Sequence, residues 1–359
     1  MKKIGIISLF GYYNYGNRLQ LYAVQKVYQH LGFDSEIIRY NLPKSKEPFL
    51  IRIKILVYYC FSFKINILKF YYKKLRIYNF KKHAKLHYKE SEKYINPLKI
   101  DNSFHQDYSF FSVGSDQIWG WFVHKIANFV FLKFAPIEKR ITFSPSFGSS
   151  IINHKYETIF KEGLQRFNFI SVREESGFQI VKKMIHKEAT ILCDPTMCLS
   201  KEEWLSFAKT HKKKPSKKYI LTYFLGEKSD KVKEILFKFS KDYEIVELNS
   251  FENSSFFTIN PSEWVDYVKD ASLVLTDSFH AVVFSLILHT PFSVFKRKGG
   301  ESMQTRISHI LEKFKMQECF EMNCENPRIF DFDIENVDEI IEKEKLKAFD
   351  FLKNTINSK

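Results

Sequence analysis

Cysteine is scarce in this 359-residue chain. Its five copies, Cys60, Cys193, Cys198, Cys319 and Cys324, are odd in number and nowhere spaced C-x-x-C. They read as free buried thiols in a reducing cytoplasm rather than as a metal site, and no metal is expected. Glycine and proline are few, 12 and 10, which reflects base composition more than function. The chain lacks G-x-G-x-x-G and a P-loop, so a nicotinamide or ATP site has no support. It also lacks a helix-turn-helix signature, zinc-finger spacing and an RNP-type motif, so nucleic acid is not an expected partner. Long apolar runs are missing too. "FLIRIKILVYYCFSFKINIL" is broken by Arg52, Lys54 and Lys64, too short and too charged to span a bilayer. The N-terminal run Ile4–Phe10 has no small-residue cleavage site and continues into a helical pattern, so it reads as a first buried strand rather than a signal peptide.

What is present is apolar surface and positive charge. Hydrophobic residues make up 45% and aromatics 17%, with 37 Phe and 19 Tyr, enough for two packed cores and too much for disorder. The length gives a prior of about two domains. The net charge of +15 favours an anionic partner, a phosphorylated small molecule or a lipid surface before nucleic acid.

Short apolar runs alternate with amphipathic stretches. "KIGIISL", "NRLQLYAVQKVYQHLG" and "DSEIIRY" form a strand, a helix capped by Asn17 and stopped at Gly32, and a second strand. Such a β-α-β unit predicts a doubly wound α/β domain. Residues 44–100 interrupt the rhythm with a basic, aromatic insertion, after which the pattern resumes through "ATILCDP". The polar stretch "KTHKKKPSKK" at 209–218 is the linker candidate, and a second α/β series follows. We expect an N-terminal Rossmann-like domain at 1–208, a second at 209–330, and a C-terminal helix within 331–359 packing across both. Two such domains imply an interdomain cleft at the carboxyl ends of the strands.

Polar residues fall at those strand ends. In "GYYNYGNRLQ", Gly16, Asn17 and Arg18 sit where a helix N-terminus can hold an anion, or the loop simply turns there. "VGSDQIWG" gathers Ser115, Asp116, Gln117 and Trp119 for a sugar; alternatively Asp116 caps a helix and Trp119 anchors the core. Arg173 ends the strand of "SVREESG", where it grips a carboxylate or phosphate, or pairs with Glu174 or Glu175. His280 falls in the first turn of the apolar helix after "LVLTDS", as a catalyst or as a satisfied core histidine. Arg306 starts a further helix facing the same cleft, while Lys296, Arg297 and Lys298 read as a solvated run.

The ordered set "NYGNRLQLYAVQ", "GSDQIW", "SPSFG", "SVREESG", "DPT", "TDSFHAVVFSL…TPF" and "TRISHILEKF" resembles the polysaccharide pyruvyl transferase family over roughly residues 1–315. The resemblance implies two Rossmann-like domains in a GT-B-like arrangement. It implies transfer of a pyruvyl group from phosphoenolpyruvate, a co-substrate needing no cofactor, to a sugar of a cell-surface glycan precursor, as a ketal. Carried over, His280 is the donor-site histidine and Arg173 the anchor. Many members have Arg two places before that histidine, where this chain has Ser278. One donor contact must then be absent or come from Arg306 or Arg18. Asn17, Gly16 and Ser278 complete the expected donor side, Gln117, Trp119 and Ser146 the acceptor side, and Asp116 is a second acid/base candidate. The acceptor is a sugar or a lipid-linked oligosaccharide, and the 64–93 segment rests on the inner membrane surface or is a solvated helical face. Rival readings are a sugar-nucleotide glycosyltransferase of the same architecture and a non-catalytic saccharide-binding protein.

Overall fold

The computed structural model describes residues 2–41, 63–120, 122–251, 254–297, 301–332 and 336–358. Residues 44–62 of the insertion, Cys60 and Lys298 lie outside them. The short apolar runs form parallel strands covered on both sides, as buried parallel sheets require. β1 (Lys3–Ile7), β2 (Asp34–Ile37), β3 (Phe110–Val113) and β4 (Arg140–Thr142) pair in the order β2-β1-β3-β4. β5 (Ser171–Val172) and β6 (Thr190–Ile191) form a parallel pair. They extend this layer beside β4, since the Ser171 N–H donates to Thr142 Oγ1 at 2.6 Å. In the second half β7 (Tyr219–Tyr223), β8 (Glu244–Glu247), β9 (Leu273–Thr276) and β10 (Phe292–Val294) pair in parallel in the order β10-β9-β7-β8. These are two Rossmann-like units in a GT-B-like arrangement.

The helix Tyr15–His30 follows β1, but its cap is Asn14, not Asn17: Asn14 Oδ1 accepts from the Asn17 N–H at 3.2 Å. The helix therefore begins three residues earlier than the sequence suggests and brings Gly16 into its first turn. Its end is as expected, with Gly32 at φ +82°. The helix Pro261–Lys269 has the capping box of Asn260 and Glu263.

Among the described residues two cores form, but they are not divided by domain. One includes Ile4, Leu19 and Val24 of the first half with Leu221, Val274 and Phe284 of the second. The other, around Phe111, Trp119 and Phe129, covers the opposite face of the first sheet. The continuity comes from helix Tyr15–His30, whose Tyr15 ring stacks on Trp264 at 5.7 Å and whose hydroxyl donates to the Ile259 carbonyl at 3.1 Å.

The described part of the basic insertion includes one long helix, Phe63–His87. It docks on the second half through Arg76 (Nη1 to Asn249 Oδ1, 2.9 Å), Asn79 (Nδ2 to the Thr258 carbonyl, 2.7 Å) and His83 (Nε2 to Ser262 Oγ, 2.5 Å). The 209–218 segment is likewise tied down, with Lys214 Nζ 2.5 Å from Asp266 and 2.6 Å from Asp270. The last helix, Val337–Asn357, bears on both halves: Cys193 Sγ lies 3.7 Å from the Glu344 carbonyl, and Glu344 pairs with Lys313 at 2.8 Å. Among the described residues no helix is long and apolar enough to cross a membrane.

Candidate functional site

Four strand ends converge where the two halves meet. β5 delivers Arg173, β6 delivers Asp194, β3 leads through Gly114 to Asp116, and β9 leads into helix Phe279–Leu288, whose second residue is His280. Gly114 is obligatory: its φ is +128° and a Cβ there would lie 2.1 Å from the Phe143 carbonyl oxygen.

Asp194 is the hub. Its Oδ2 lies 2.8 Å from Arg173 Nη1 and 3.5 Å from His280 Nε2, so a guanidinium of the first half and an imidazole of the second share one oxygen. Its Oδ1 accepts from the Thr196 N–H at 3.1 Å and hydroxyl at 2.7 Å. Burial alone would raise this carboxyl's pKa. His280, then Arg173 and the Thr196 hydroxyl outweigh that and hold it well below the usual carboxylate range.

The His280 ring also lies against Gly16. A Cβ on Gly16 would fall 2.2 Å from Nδ1 and 2.7 Å from Cε1 and Cγ. The side chain keeps 12% exposure while Asp194 keeps none. His280 is thus fixed between a helix N-terminus and a carboxylate, both from the first half, with a narrow opening to solvent.

Arg173 is buried and answered by three carboxylates. Besides Asp194 it has Asp116 Oδ1 at 3.5 Å from Nη2 and Glu174 Oε2 at 3.5 Å from Nε. Burial works against its charge, and the three carboxylates more than compensate, raising its pKa. Of the two sequence readings of Arg173 the ion pair is met, by Glu174 together with Asp116 and Asp194. Arg306 is buried nearby. With the Gln117 amide turned to face it, the Gln117 oxygen accepts from Nη2 at 2.5 Å and Nη1 at 3.3 Å. Burial, then the nearby Arg173 charge, pulls Arg306 down to about 10. Both guanidiniums lie near the Phe279 ring, at 4.9 and 5.8 Å.

Arg173, Glu174, Asp194, Phe279, Arg306 and His309 line a small cavity of about 30 Å³, room for one or two water molecules. The set of Arg173 and Arg306 against Asp116, Glu174 and Asp194 carries one net negative charge with a neutral imidazole and none when His280 is protonated. Among the described residues no group of three His, Cys, Asp or Glu is placed to hold a metal ion.

Several expected site residues lie elsewhere. Arg18 is turned away from the cleft: its Nη2 pairs with Glu90 at 2.8 Å and its guanidinium lies 4.0 Å over the Tyr88 ring. It therefore cannot replace the arginine missing at Ser278. Trp119 is fully buried; its indole N–H donates to the Val130 carbonyl at 3.3 Å, among Phe131, Phe147 and Phe167, so it covers no sugar face. Ser146 is locked by donating to Glu174 Oε1 at 2.6 Å while accepting from the Gly148 N–H at 3.0 Å. It holds the carboxylate cluster rather than an acceptor. Asn17 serves helix Tyr15–His30 through its own backbone, its carbonyl accepting from Gln20 at 3.1 Å. Ser278 is buried at the cap of helix Phe279–Leu288, makes no side-chain cap bond, and gives its N–H to Thr276 Oγ1 at 3.0 Å. Arg297 is no solvated residue: its Nε holds Asp277 Oδ2 at 2.9 Å, and that carboxylate accepts from the Leu225 and Gly226 N–H groups.

The sequence reading overlooked Asp194 and Glu174 as site residues. Asp194 was legible as an acid at the carboxyl end of a buried strand, the same signal that marked Arg173. Glu174 was seen only as a partner for its neighbour.

The sequence model of the family described as polysaccharide pyruvyl transferase matches residues 14–299. A search of curated proteins found no match. Among solved structures, one similar protein is from Listeria monocytogenes and is assigned as a UDP-N-acetylglucosamine 2-epimerase. It has 9% identity and a TM-score of 0.54, with 100% of this chain and 98% of that one covered. Another is Anabaena HepE, solved with UDP and glucose, at 8% identity and a TM-score of 0.50, with 100% of both chains covered. At such identities these likenesses speak to the fold alone.

Proposed function

This chain belongs to the polysaccharide pyruvyl transferase family, and from that premise we propose that it transfers the pyruvyl group of phosphoenolpyruvate to a sugar of a cell-surface glycan precursor in the cytoplasm. The observation that carries the reading is His280, a second-half imidazole sharing Asp194 Oδ2 with Arg173 at the interdomain seam. In the reaction a proton adds to the donor's methylene carbon and a sugar oxygen adds to the neighbouring enol carbon. The bond from that carbon to the phosphate oxygen then breaks, inorganic phosphate leaves, and a second hydroxyl closes the ketal. One proton is given and two hydroxyl protons are removed, one of them departing with phosphate.

With Nε2 3.5 Å from Asp194 Oδ2, Nδ1 is the His280 nitrogen left for proton transfer. Positioned acid/base groups are worth ~10²–10⁴-fold in rate. The donor's anionic groups require cations. In this scheme Arg173, Arg306 and the first turn of helix Phe279–Leu288 supply them. The cavity holds only one or two waters, so this scheme requires the cleft to open for the donor. Asp116, with some exposure at the cleft, orients the acceptor hydroxyl.

The test pairs binding with turnover. Phosphoenolpyruvate should raise the melting temperature by ligand linkage, and phosphate should be released with a panel of glycan acceptors. His280→Ala should abolish release and keep the fold. Stabilisation by UDP-sugars and not by phosphoenolpyruvate would replace this reading with glycosyl transfer. Stabilisation by saccharides alone would leave a binding protein.

A further inference from the structure

The helix Phe63–His87 has two faces with opposite fates. Arg76, Phe80, His83 and Ala84 are buried against the body of the protein. The spacing 67, 71, 74, 78, 82, 85 runs along the other side. There Ile67, Tyr71 and Tyr78 are each more than half exposed, with Phe70 beside them, and Lys74, Lys82 and Lys85 lie between. The 25-residue helix contains no Asp or Glu.

We propose that this face is a docking surface for an anionic lipid bilayer. The chemistry is specific to that partner. Aromatic rings with polar tips settle at the headgroup level, and lysines keep their heads in water while laying their stems along apolar surface. A protein partner would have to desolvate each lysine interleaved with the rings, and lysine is depleted at protein interfaces for that reason. The helix docks flat on the body and has no length left to insert, so the attachment is peripheral and salt-sensitive. Lys81 Nζ lies 5.5 Å over the Tyr12 ring, in the loop that leads to Gly16 and the cleft. The helix is thus held to that loop, beside the Tyr12–Glu90 hydrogen bond, while its outer face meets the bilayer. Resting on the proposed activity, this selects an acceptor carried on a lipid.

The purified full chain is mixed with vesicles of phosphatidylcholine, with and without phosphatidylglycerol, and sedimented. Binding is expected only to the anionic vesicles and should fall away at high salt. Lys74→Gln/Lys82→Gln/Lys85→Gln should weaken the partition roughly a hundredfold, from about fivefold per basic residue. Tyr71→Ser/Tyr78→Ser should weaken it as well, with the melting temperature of both variants unchanged. Absence of binding, equal binding to neutral vesicles, or variants that bind like the parent would overturn the proposal. So would light scattering that shows an oligomer dissolved by the same substitutions, which would make the face a contact between copies. Vesicle binding is read without donor or acceptor, so its failure is distinct from failure of the proposed chemistry.

Discussion

Gly16→Ala is the sharpest perturbation of the site, because it adds one methyl group and nothing else. Gly16 is helical, in the first turn of Tyr15–His30, and its φ is not in the left-handed region. Alanine is therefore acceptable to the backbone, and helix propensity on its own would favour it by up to ~1 kcal/mol. The methyl carbon, however, would sit 2.2 Å from His280 Nδ1, and ordinary contact begins at 3.4 Å. The ring must retreat by about 1.2 Å, or the two halves must separate by as much. Retreat is blocked by Asp194 behind Nε2 and by the buried helix that carries His280. A misplacement of about 1 Å at a reacting group costs on the order of 10²-fold, so kcat should fall by about that factor. Phosphoenolpyruvate binding, which in the proposed scheme relies on Arg173, Arg306 and helix Phe279–Leu288, should change much less. The assay is phosphate release under saturating donor, together with a melting curve and the NMR signals of the His280 ring. A Gly16→Ala protein with normal kcat and an unmoved His280 resonance would refute the idea that this contact sets the imidazole.

Two further outcomes follow from the buried charges. Asp194→Asn leaves Arg173 and His280 without their shared anion, and breaking a buried pair costs about 3–5 kcal/mol; Asp116 and Glu174 still face Arg173, so the low end is expected from urea unfolding, and a loss below ~1 kcal/mol would show the pair to be dispensable. His83 is depressed by burial, then by His87, Arg18 and Lys209, from 6.5 to about 3. Its unfolded form binds the proton more readily, so its contribution is fully present above pH 6.5 and is lost as pH falls towards 3, by at most about 1.4 kcal/mol per pH unit. Urea midpoints at neutral and mildly acidic pH should diverge less in His83→Asn than in the parent, and equal divergence would remove His83 as the source.

Much of the fold was legible because its signals are local. Each parallel strand is an apolar run between turn residues, and the capping box of Asn260 and Glu263 announces its helix within four residues. The first helix was placed late because two asparagines precede it, and only packing decides that Asn14 caps while Gly16 is drawn under His280. The site was half legible for the same reason. Arg173, His280 and Arg306 stood out as polar residues at apolar strand or helix ends. Whether such a residue faces the cleft or the core depends on contacts from distant segments. Arg18, one turn into its helix, found Glu90 and Tyr88 on the far side. Trp119 was claimed by three phenylalanine rings. The continuity of the core across both halves had no sequence signature, because an amphipathic helix does not say which sheet its apolar stripe will cover.

The departure at Ser278 gains meaning from the charges around it. Phe279, next to that buried cap, has the Arg173 and Arg306 guanidiniums 4.9 and 5.8 Å from its ring, and those two charges already repel each other. This chain instead places its second-half cation on helix Glu301–Lys313, with the amide of Gln117 as its neighbour across the seam. A neutral amide relieves little of the desolvation cost of a buried guanidinium, which is consistent with Arg306 being pulled down to about 10. Glu174 and Asp116 favour the Arg306 charge without offsetting that loss. Arg173, through Asp194, helps to hold His280 in place.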